Sequence, residues 1–289
     1  MTADPIEEFA TETVPTRTRV ELDEQQISDM GLLGPALLSG PANVIMQLSH
    51  PAVGYGVYES KVDSGNLYKH PVKRTRTTLT YLAVAATGGG ELRRKYRQAV
   101  NRSHAQVRSV ESSPVKYNAF DPSLQLWVAA CLYRGWEDCV RIFGDEADLT
   151  EEAYRQGAVM GTTLQMPPEM WPATRADFED YWNSVLDDMV IDDVIGSYLK
   201  SLVRLEFAPA ALRVLAGRFS EIMTIGFLPP EFRDKIGFTQ SKRDKLLFDV
   251  NTRALRALVQ TLPQSWRQFP FNVLLADLKW RMRTNRPLI

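Results

Sequence analysis

One amphipathic segment carries a histidine in its apolar stripe, where an imidazole can ligate a metal or carry a proton. The segment is 91–110, ELRRKYRQAVNRSHAQVRSV, and its stripe consists of Leu92, Tyr96, Val100, His104 and Val107. Spacings of three and four residues place these side chains on one face of a helix that is turned towards a core. On the pattern alone, a core histidine with a hydrogen-bonded ring is favoured over a ligand, and both readings stay open.

The preceding segment carries polar side chains that also share one helix face. Arg74, Thr77, Thr78 and Tyr81 stand at i, i+3, i+4 and i+7. An arginine and hydroxyl groups that face inward are costly to bury without a polar partner. A haem beside His104 would supply such a partner, and this favours the interpretation of His104 as an iron ligand.

Other kinds of active site lack their residues. The chain has only three histidines, and it contains no HExxH, GxSxG, Walker phosphate loop or GxGxxG motif. A di-iron carboxylate site needs Glu-x-x-His on two helices, but Gln47, Leu67 and Asn101 stand three residues before the histidines. The acidic cluster Asp187, Asp188, Asp192 and Asp193 is expected to supply helix caps and solvated surface rather than a metal site.

The overall charge favours neither nucleic acid nor an anionic membrane, because 34 Lys and Arg stand against 35 Asp and Glu. The basic residues around His104 are expected to form a solvated face: Arg93, Arg94, Lys95, Arg97, Arg102 and Arg108. Cys131 and Cys139 are predicted to be buried, unpaired thiols. No secretory signal or spanning segment is recognisable, so a cytoplasmic protein without a transmembrane segment is expected.

Helical patterns run through almost the whole chain, and strand and hairpin patterns are missing, which predicts an all-α, single-domain helical bundle. Residues 1–20 are expected to be a flexible N-terminal tail and 21–289 the helical domain. Helices are predicted to begin at Pro41, Pro51, Pro71, Asp121, Thr150, Thr174, Asp192, Ala208, Thr239 and Phe271. The triplet 88–90, GGG, is expected to end the helix before the His104 segment.

Five blocks, in order, resemble the rubber oxygenase (latex-clearing protein) catalytic-domain family, which includes the MpaB-like oxygenases of mycophenolic acid biosynthesis. They are GPANVIMQLSHPAVGYGV at 40–57, RTRTTLTYLAV at 74–84, the His104 helix, YNAFDPSLQLWV at 117–128 and GFLPPEFRDKIGF at 226–238. The resemblance covers most of residues 30–265. It implies an all-helical fold with a haem pocket between helices, one haem b, dioxygen as cosubstrate and an apolar organic substrate.

The resemblance also implies roles for individual residues. The proximal haem ligand of the family falls on His104, which would hold the iron. The arginine and threonine of the family's Arg-x-x-x-Thr motif fall on Arg74 and Thr78. Arg74 would give cationic support beside the haem, at a propionate or on the oxygen-binding side, and Thr78 would donate a hydrogen bond near dioxygen.

Two positions depart from the rubber-cleaving members. Thr77 replaces a lysine that can close the distal iron position, so this side is expected to be open, and Ala129 stands where relatives often have histidine. His50 is interpreted mainly as a structural histidine, and His70 as exposed loop. The leading function is a haem b-dependent oxygenase; the alternatives are a non-catalytic haem carrier or sensor, and a haem-free helical binding module.

Overall fold

The computed structural model describes residues 34–289, which form α-helices joined by turns and by a longer loop over 105–121. The helices are α1 (Gly40–Ser49), α2 (Pro51–Tyr58), α3 (Pro71–Thr87), α4 (Gly90–His104), α5 (Pro122–Phe143), α6 (Glu151–Gly157), α7 (Val159–Thr162), α8 (Arg175–Asp188), α9 (Asp193–Val203), α10 (Ala210–Phe227), α11 (Pro230–Ile236), α12 (Lys242–Thr261), α13 (Gln264–Arg267) and α14 (Phe271–Arg283). Short 3₁₀ turns at Gly34–Leu38, Asp63–Gly65, Glu146–Asp148 and Pro168–Met170 complete the set.

The predicted all-α class is confirmed. Within 34–289 the only extended pairing is a single antiparallel bridge between Arg108 and Asn118. The predicted tail at 1–20, and the domain start at 21, lie outside the described residues. None of the described helices is long and apolar enough to cross a membrane.

Several predicted helix starts are confirmed by their caps. The side chain of Asp121 accepts a hydrogen bond from the Ser123 backbone N–H, and Thr174 forms a capping box with Asp177. Thr150 caps α6 and Asp192 caps α9 in the same way. The last helix runs from Phe271 to Arg283, as predicted, whereas α10 and α12 start two or three residues later than expected.

The core is built around α5, which packs against α1, α7 and α12. Both cysteines lie on α5, and both are buried and free, as predicted. The α5 residue Trp127 is 1% exposed and stacks on Trp182 of α8, with 5.1 Å between ring centroids. Large aromatic rings dominate this part of the core because each buries much apolar area and packs well edge to face.

Helices α3 and α4 form an antiparallel pair across the 88–90 turn. Arg93 closes the turn: it is fully buried, and its guanidinium donates to the carbonyl oxygens of Val84 (3.3 Å) and Ala85 (2.9 Å). Carbonyl groups in the last turn of a helix lack partners within that helix, so an arginine that reaches them is favourable even when buried. The prediction of a solvated basic face was therefore wrong for Arg93.

The rest of that basic face divides into two groups. Arg94, Lys95, Arg102 and Arg108 are exposed, as predicted. Arg97 is only partly exposed, because its Nε donates to the carbonyl oxygen of Thr163 at 2.7 Å. This bond fastens α4 to the chain segment that follows α7.

Candidate functional site

The register of α3 against α4 decides which of their side chains meet. Tyr96 of α4 is buried, and its hydroxyl donates to the carbonyl oxygen of Thr77 at 2.7 Å. In an antiparallel pair, moving towards the end of α4 means moving back towards the start of α3. The last residue of α4, His104, therefore lies near the start of α3, where the charge of Arg74 in the first turn is close enough to lower its pKa.

His104 sits in surroundings that keep its imidazole neutral. The pKa of His104 is lowered to about 4, mainly by burial and in addition by the positive charge of Arg74. Its Nδ1 atom is buried and has no hydrogen-bond partner among residues 34–289. The nearest aromatic ring is that of Phe120, with centroids 6.4 Å apart. A neutral imidazole with a free ring nitrogen is the form that binds a metal ion.

Arg74 is the cation of the site. It lies deep in the protein, and burial lowers the pKa of its guanidinium, while the neighbouring Tyr198 and Tyr96 act in the opposite direction. Its side chain nevertheless keeps some accessible surface, and it forms no ion pair or hydrogen bond with any other described residue. A half-buried guanidinium without a protein anion is available to pair with an anionic group of a ligand.

The two threonines of α3 are bonded within their own helix. The hydroxyl of Thr78 donates to the carbonyl oxygen of Arg74 at 3.1 Å, and that of Thr77 to Lys73 at 3.0 Å. Each hydroxyl oxygen retains lone pairs that can accept a further hydrogen bond. Tyr81, one turn further along the same face, donates its hydroxyl proton to the carbonyl oxygen of Met160 and so fixes α3 against α7.

A second histidine lies near the same region. The Nδ1 atom of His50 is buried without a hydrogen-bond partner among the described residues, and burial lowers the pKa of this imidazole. Its ring centroid is 6.1 Å from that of Trp127. Asp121, next in sequence to the Phe120 that touches His104, acts electrostatically on His50. His70 is exposed and pairs with Asp63 at 2.9 Å, in keeping with the loop interpretation.

Sequence reasoning missed Tyr198 and Tyr96 as neighbours of Arg74. Tyr198 belongs to α9, and its ring contacts Tyr58 of α2, with 5.3 Å between centroids. No sequence pattern links α9 to α3, since their residues are more than a hundred positions apart. Tyr96 could have been found, because it stands in the same predicted stripe as His104, two turns earlier.

The site fits a haem better than a metal ion held by several protein ligands. Within residues 34–289 no group of three or more His, Cys, Asp or Glu side chains could hold a metal ion. The acidic cluster serves structure instead: Asp192 caps α9 and accepts a hydrogen bond from Tyr55 at 2.6 Å. Haem iron needs one protein ligand, and its propionates need a cation. His104 could be the ligand and Arg74 the cation. The positive charge of Arg74 contributes to the lowered pKa of His104.

Comparison with known proteins assigns the chain to a family. A family model described as "ER-bound oxygenase mpaB/B'/Rubber oxygenase, catalytic domain" matches residues 28–260. Uncharacterized protein Mb2261 of Mycobacterium bovis (strain ATCC BAA-935 / AF2122/97) and uncharacterized protein Rv2237 of Mycobacterium tuberculosis (strain ATCC 25618 / H37Rv) are each 46% identical over 255 residues, which cover 88% of this chain and 100% of each relative. No solved structure matches the chain.

Proposed function

The chain belongs to the ER-bound oxygenase mpaB and rubber oxygenase catalytic-domain family, and on that premise we propose that it is a haem b-dependent oxygenase acting with dioxygen on an apolar organic substrate. An oxygenase-type function follows from the family. The haem and the apolar substrate are the proposed part. The observation that carries the proposal is the neutral imidazole of His104 beside the unpaired guanidinium of Arg74.

In the proposed site, each residue has a task set by its chemistry. His104 would hold the iron through one imidazole nitrogen, which the lowered pKa keeps free of a proton near neutral pH. Arg74 would compensate the negative charge of a propionate, or negative charge that develops on the oxygen-binding side. The hydroxyl of Thr78 donates its proton within its own helix, so it would accept a hydrogen bond from a ligand rather than donate one to dioxygen as expected. Bound haem b would supply the redox-active iron needed for oxygen chemistry.

The direct test is a hemin titration of the purified chain followed by visible spectroscopy. We expect a saturable Soret band at one hemin per chain, and then oxygen uptake when a reductant and isoprenoid hydrocarbons are supplied. A chain that binds hemin but consumes no oxygen with any of these compounds would be a carrier or sensor. A chain without a Soret band would contradict the haem proposal altogether.

Replacing Arg74 with methionine should have opposite effects on stability and on hemin binding. Methionine removes a half-buried, unpaired charge, so the hemin-free protein should gain up to about 1 kcal/mol in free energy of unfolding. The same change should weaken hemin binding about tenfold or more, because an anionic group of the ligand loses its cation. Chemical denaturation and hemin titration of the two proteins measure both effects.

Arg76 provides a matched control on the same helix. It faces Asp277 of α14 at 3.8 Å, and its side chain is 27% exposed. Arg76→Met should cost at most about 1 kcal/mol and leave hemin affinity unchanged. If Arg74→Met and Arg76→Met change stability and hemin affinity by the same amounts, Arg74 has a purely structural role.

A further inference from the structure

The ring of His104 lacks the protein contact that usually orients a metal-binding histidine. A histidine that binds a metal through one ring nitrogen commonly donates a hydrogen bond from the other to a carbonyl or carboxylate group. The buried Nδ1 atom of His104 has no such partner among residues 34–289. The orientation of this imidazole therefore depends on the backbone that carries it and on the side chains packed against it.

The backbone that follows His104 is held by two successive hydrogen bonds. The N–H of Val107 donates to the carbonyl oxygen of His104 at 2.9 Å, and the N–H of Ala119 donates to the carbonyl oxygen of Val107 at 3.0 Å. Ala119 directly precedes Phe120, whose ring lies edge-on to the ring of His104. The end of α4 and one side of the imidazole are thus fixed to the same short stretch of the 105–121 loop.

That stretch is held in turn by the side-chain amide of Gln125, in the first turn of α5. Its Nε2 donates to the carbonyl oxygen of Ala119 at 2.9 Å and to Oε1 of Gln165 at 2.8 Å. Its Oε1 accepts from the backbone N–H of Gln165 at 2.9 Å. Gln125 is only 5% exposed. Both polar atoms of this buried amide are paired, so the amide rigidifies one arrangement of its neighbours.

Gln165 leads back to the helix that carries His104. Its Nε2 donates to Oδ1 of Asn101, which stands three residues before His104 on α4. Residues at this spacing lie one above the other on the same helix face. Arg97, one further turn back, donates to the carbonyl oxygen of Thr163. The segment that contains Thr163 and Gln165 therefore contacts α4 just before its end.

These hydrogen bonds form a closed circuit that begins and ends in the last turn of α4. We call it the Gln125 circuit. Its members, in order, are His104, Val107, Ala119, Gln125, Gln165 and Asn101. In a closed circuit no member can shift without its neighbours, so the bonds restrain His104 from both sides.

From this geometry we propose that Gln125, Gln165 and Asn101 are positioning residues, which hold the imidazole of His104 in the orientation that haem binding requires. The inference rests on the proposed function, because His104 is the connection between the circuit and the iron. A ligand has to be held within about 0.5 Å of its productive position. The circuit supplies this restraint in place of a hydrogen bond to Nδ1.

Asn101 is the place at which the circuit can be opened with the least damage to the fold. Asn101→Ala removes the acceptor of the Gln165 amide, and α4 should stay folded because alanine is the better helix former. Asn101→Asp keeps an acceptor oxygen in the same place and closes the circuit again. The matched control is Gln156→Ala: this half-buried amide donates to Glu152 at 3.1 Å within α6, outside the circuit.

The first readout is the NMR spectrum of the histidine rings in the hemin-free chain. The chain has only three histidines, so His104→Ala assigns the signal of His104. In Asn101→Ala this signal should shift and broaden, because the ring no longer keeps one position beside Phe120. The signals of the other two histidines should not move. Asn101→Asp should restore the parent signal, and Gln156→Ala should leave all three signals unchanged.

The second readout is the complex with hemin. Asn101→Ala should lower hemin affinity about tenfold and alter the electron paramagnetic resonance spectrum of the ferric complex, since both depend on how the imidazole is presented. The denaturation midpoint of the hemin-free variant should stay close to that of the parent. Asn101→Asp should restore both affinity and spectrum, and Gln156→Ala should change neither.

The outcomes separate this proposal from the haem proposal. If the parent binds hemin and Asn101→Ala keeps its affinity and spectrum, the haem proposal stands and the positioning role is overturned. Equal changes in Asn101→Ala and in Gln156→Ala, or no recovery in Asn101→Asp, would overturn it as well. If the parent binds no hemin, the haem proposal fails. The NMR signal of His104 then still decides whether the circuit holds this imidazole, and an unmoved signal in Asn101→Ala would contradict that.

Discussion

Replacing His104 with alanine is expected to abolish hemin retention while leaving the helical fold intact. If His104 is the iron ligand, no other histidine of α3 or α4 can replace it. Mutating a residue that only orients a metal ligand typically lowers metal affinity about ten- to a hundredfold. Losing the ligand itself should therefore lower hemin affinity at least about a hundredfold. The readouts are the Soret band after hemin titration and the far-ultraviolet circular dichroism of the same samples.

The other two histidines are the natural controls, because the chain contains only three. His70→Ala removes an exposed imidazole paired with Asp63 and should leave the Soret band unchanged. His50→Ala removes the other imidazole whose Nδ1 atom is buried without a hydrogen-bond partner among the described residues. If His104→Ala keeps full hemin affinity while His50→Ala loses it, the ligand is His50 and the assignment of His104 is wrong.

The acid dependence of hemin binding gives an independent check on His104. An imidazole must lose its proton to bind iron, so protons compete as the pH falls through the pKa. Since the pKa of His104 is lowered to about 4, hemin affinity should stay constant from neutral pH down to about pH 5 and fall below that. An affinity that already falls near pH 6.5 would indicate a ligand with the pKa of an ordinary histidine.

The second large effect is expected at Glu137, an anion in the middle of α5. Its side chain is only 2% exposed, and it accepts hydrogen bonds from Arg134 (3.0 Å), Tyr133 (3.0 Å) and Arg175. Glu137→Ala would leave these donors around an empty, largely dry site. Removing one partner of a buried ionic network commonly costs about 3–5 kcal/mol, and we expect about 3 kcal/mol here because Arg134 retains Glu179.

Denaturant and thermal unfolding measure this change, with Glu179→Ala as the matched variant. Glu179 binds the same arginine at 2.6 Å, but its side chain is 51% exposed. Its replacement should cost less than about 1 kcal/mol. If Glu137 is held in a buried ionic network, Glu137→Ala must lower the free energy of unfolding clearly more than Glu179→Ala does. Equal costs would mean that the Glu137 network is as well solvated as a surface ion pair.

Much of the fold was predictable because its signals are local. The Asp121 and Thr174 caps set helix starts through bonds to backbone groups only two or three residues away. Phe271–Arg283 follows from apolar periodicity in a single stretch of chain. The prediction for Arg93 was wrong because its burial depends on the Val84 and Ala85 carbonyl groups of α3, which reach its guanidinium only once the two helices pair.

For the site, the sequence by itself determined the candidate residues: a histidine in an apolar stripe, and an arginine and a threonine one turn apart on the helix before it. Only the tertiary structure decided what surrounds them. The α3/α4 register places the charge of Arg74 near His104, and α9 brings Tyr198 to the same place. Helix periodicity is a local property of the backbone, whereas desolvation and charge coupling depend on atoms from distant segments that meet only when the chain folds.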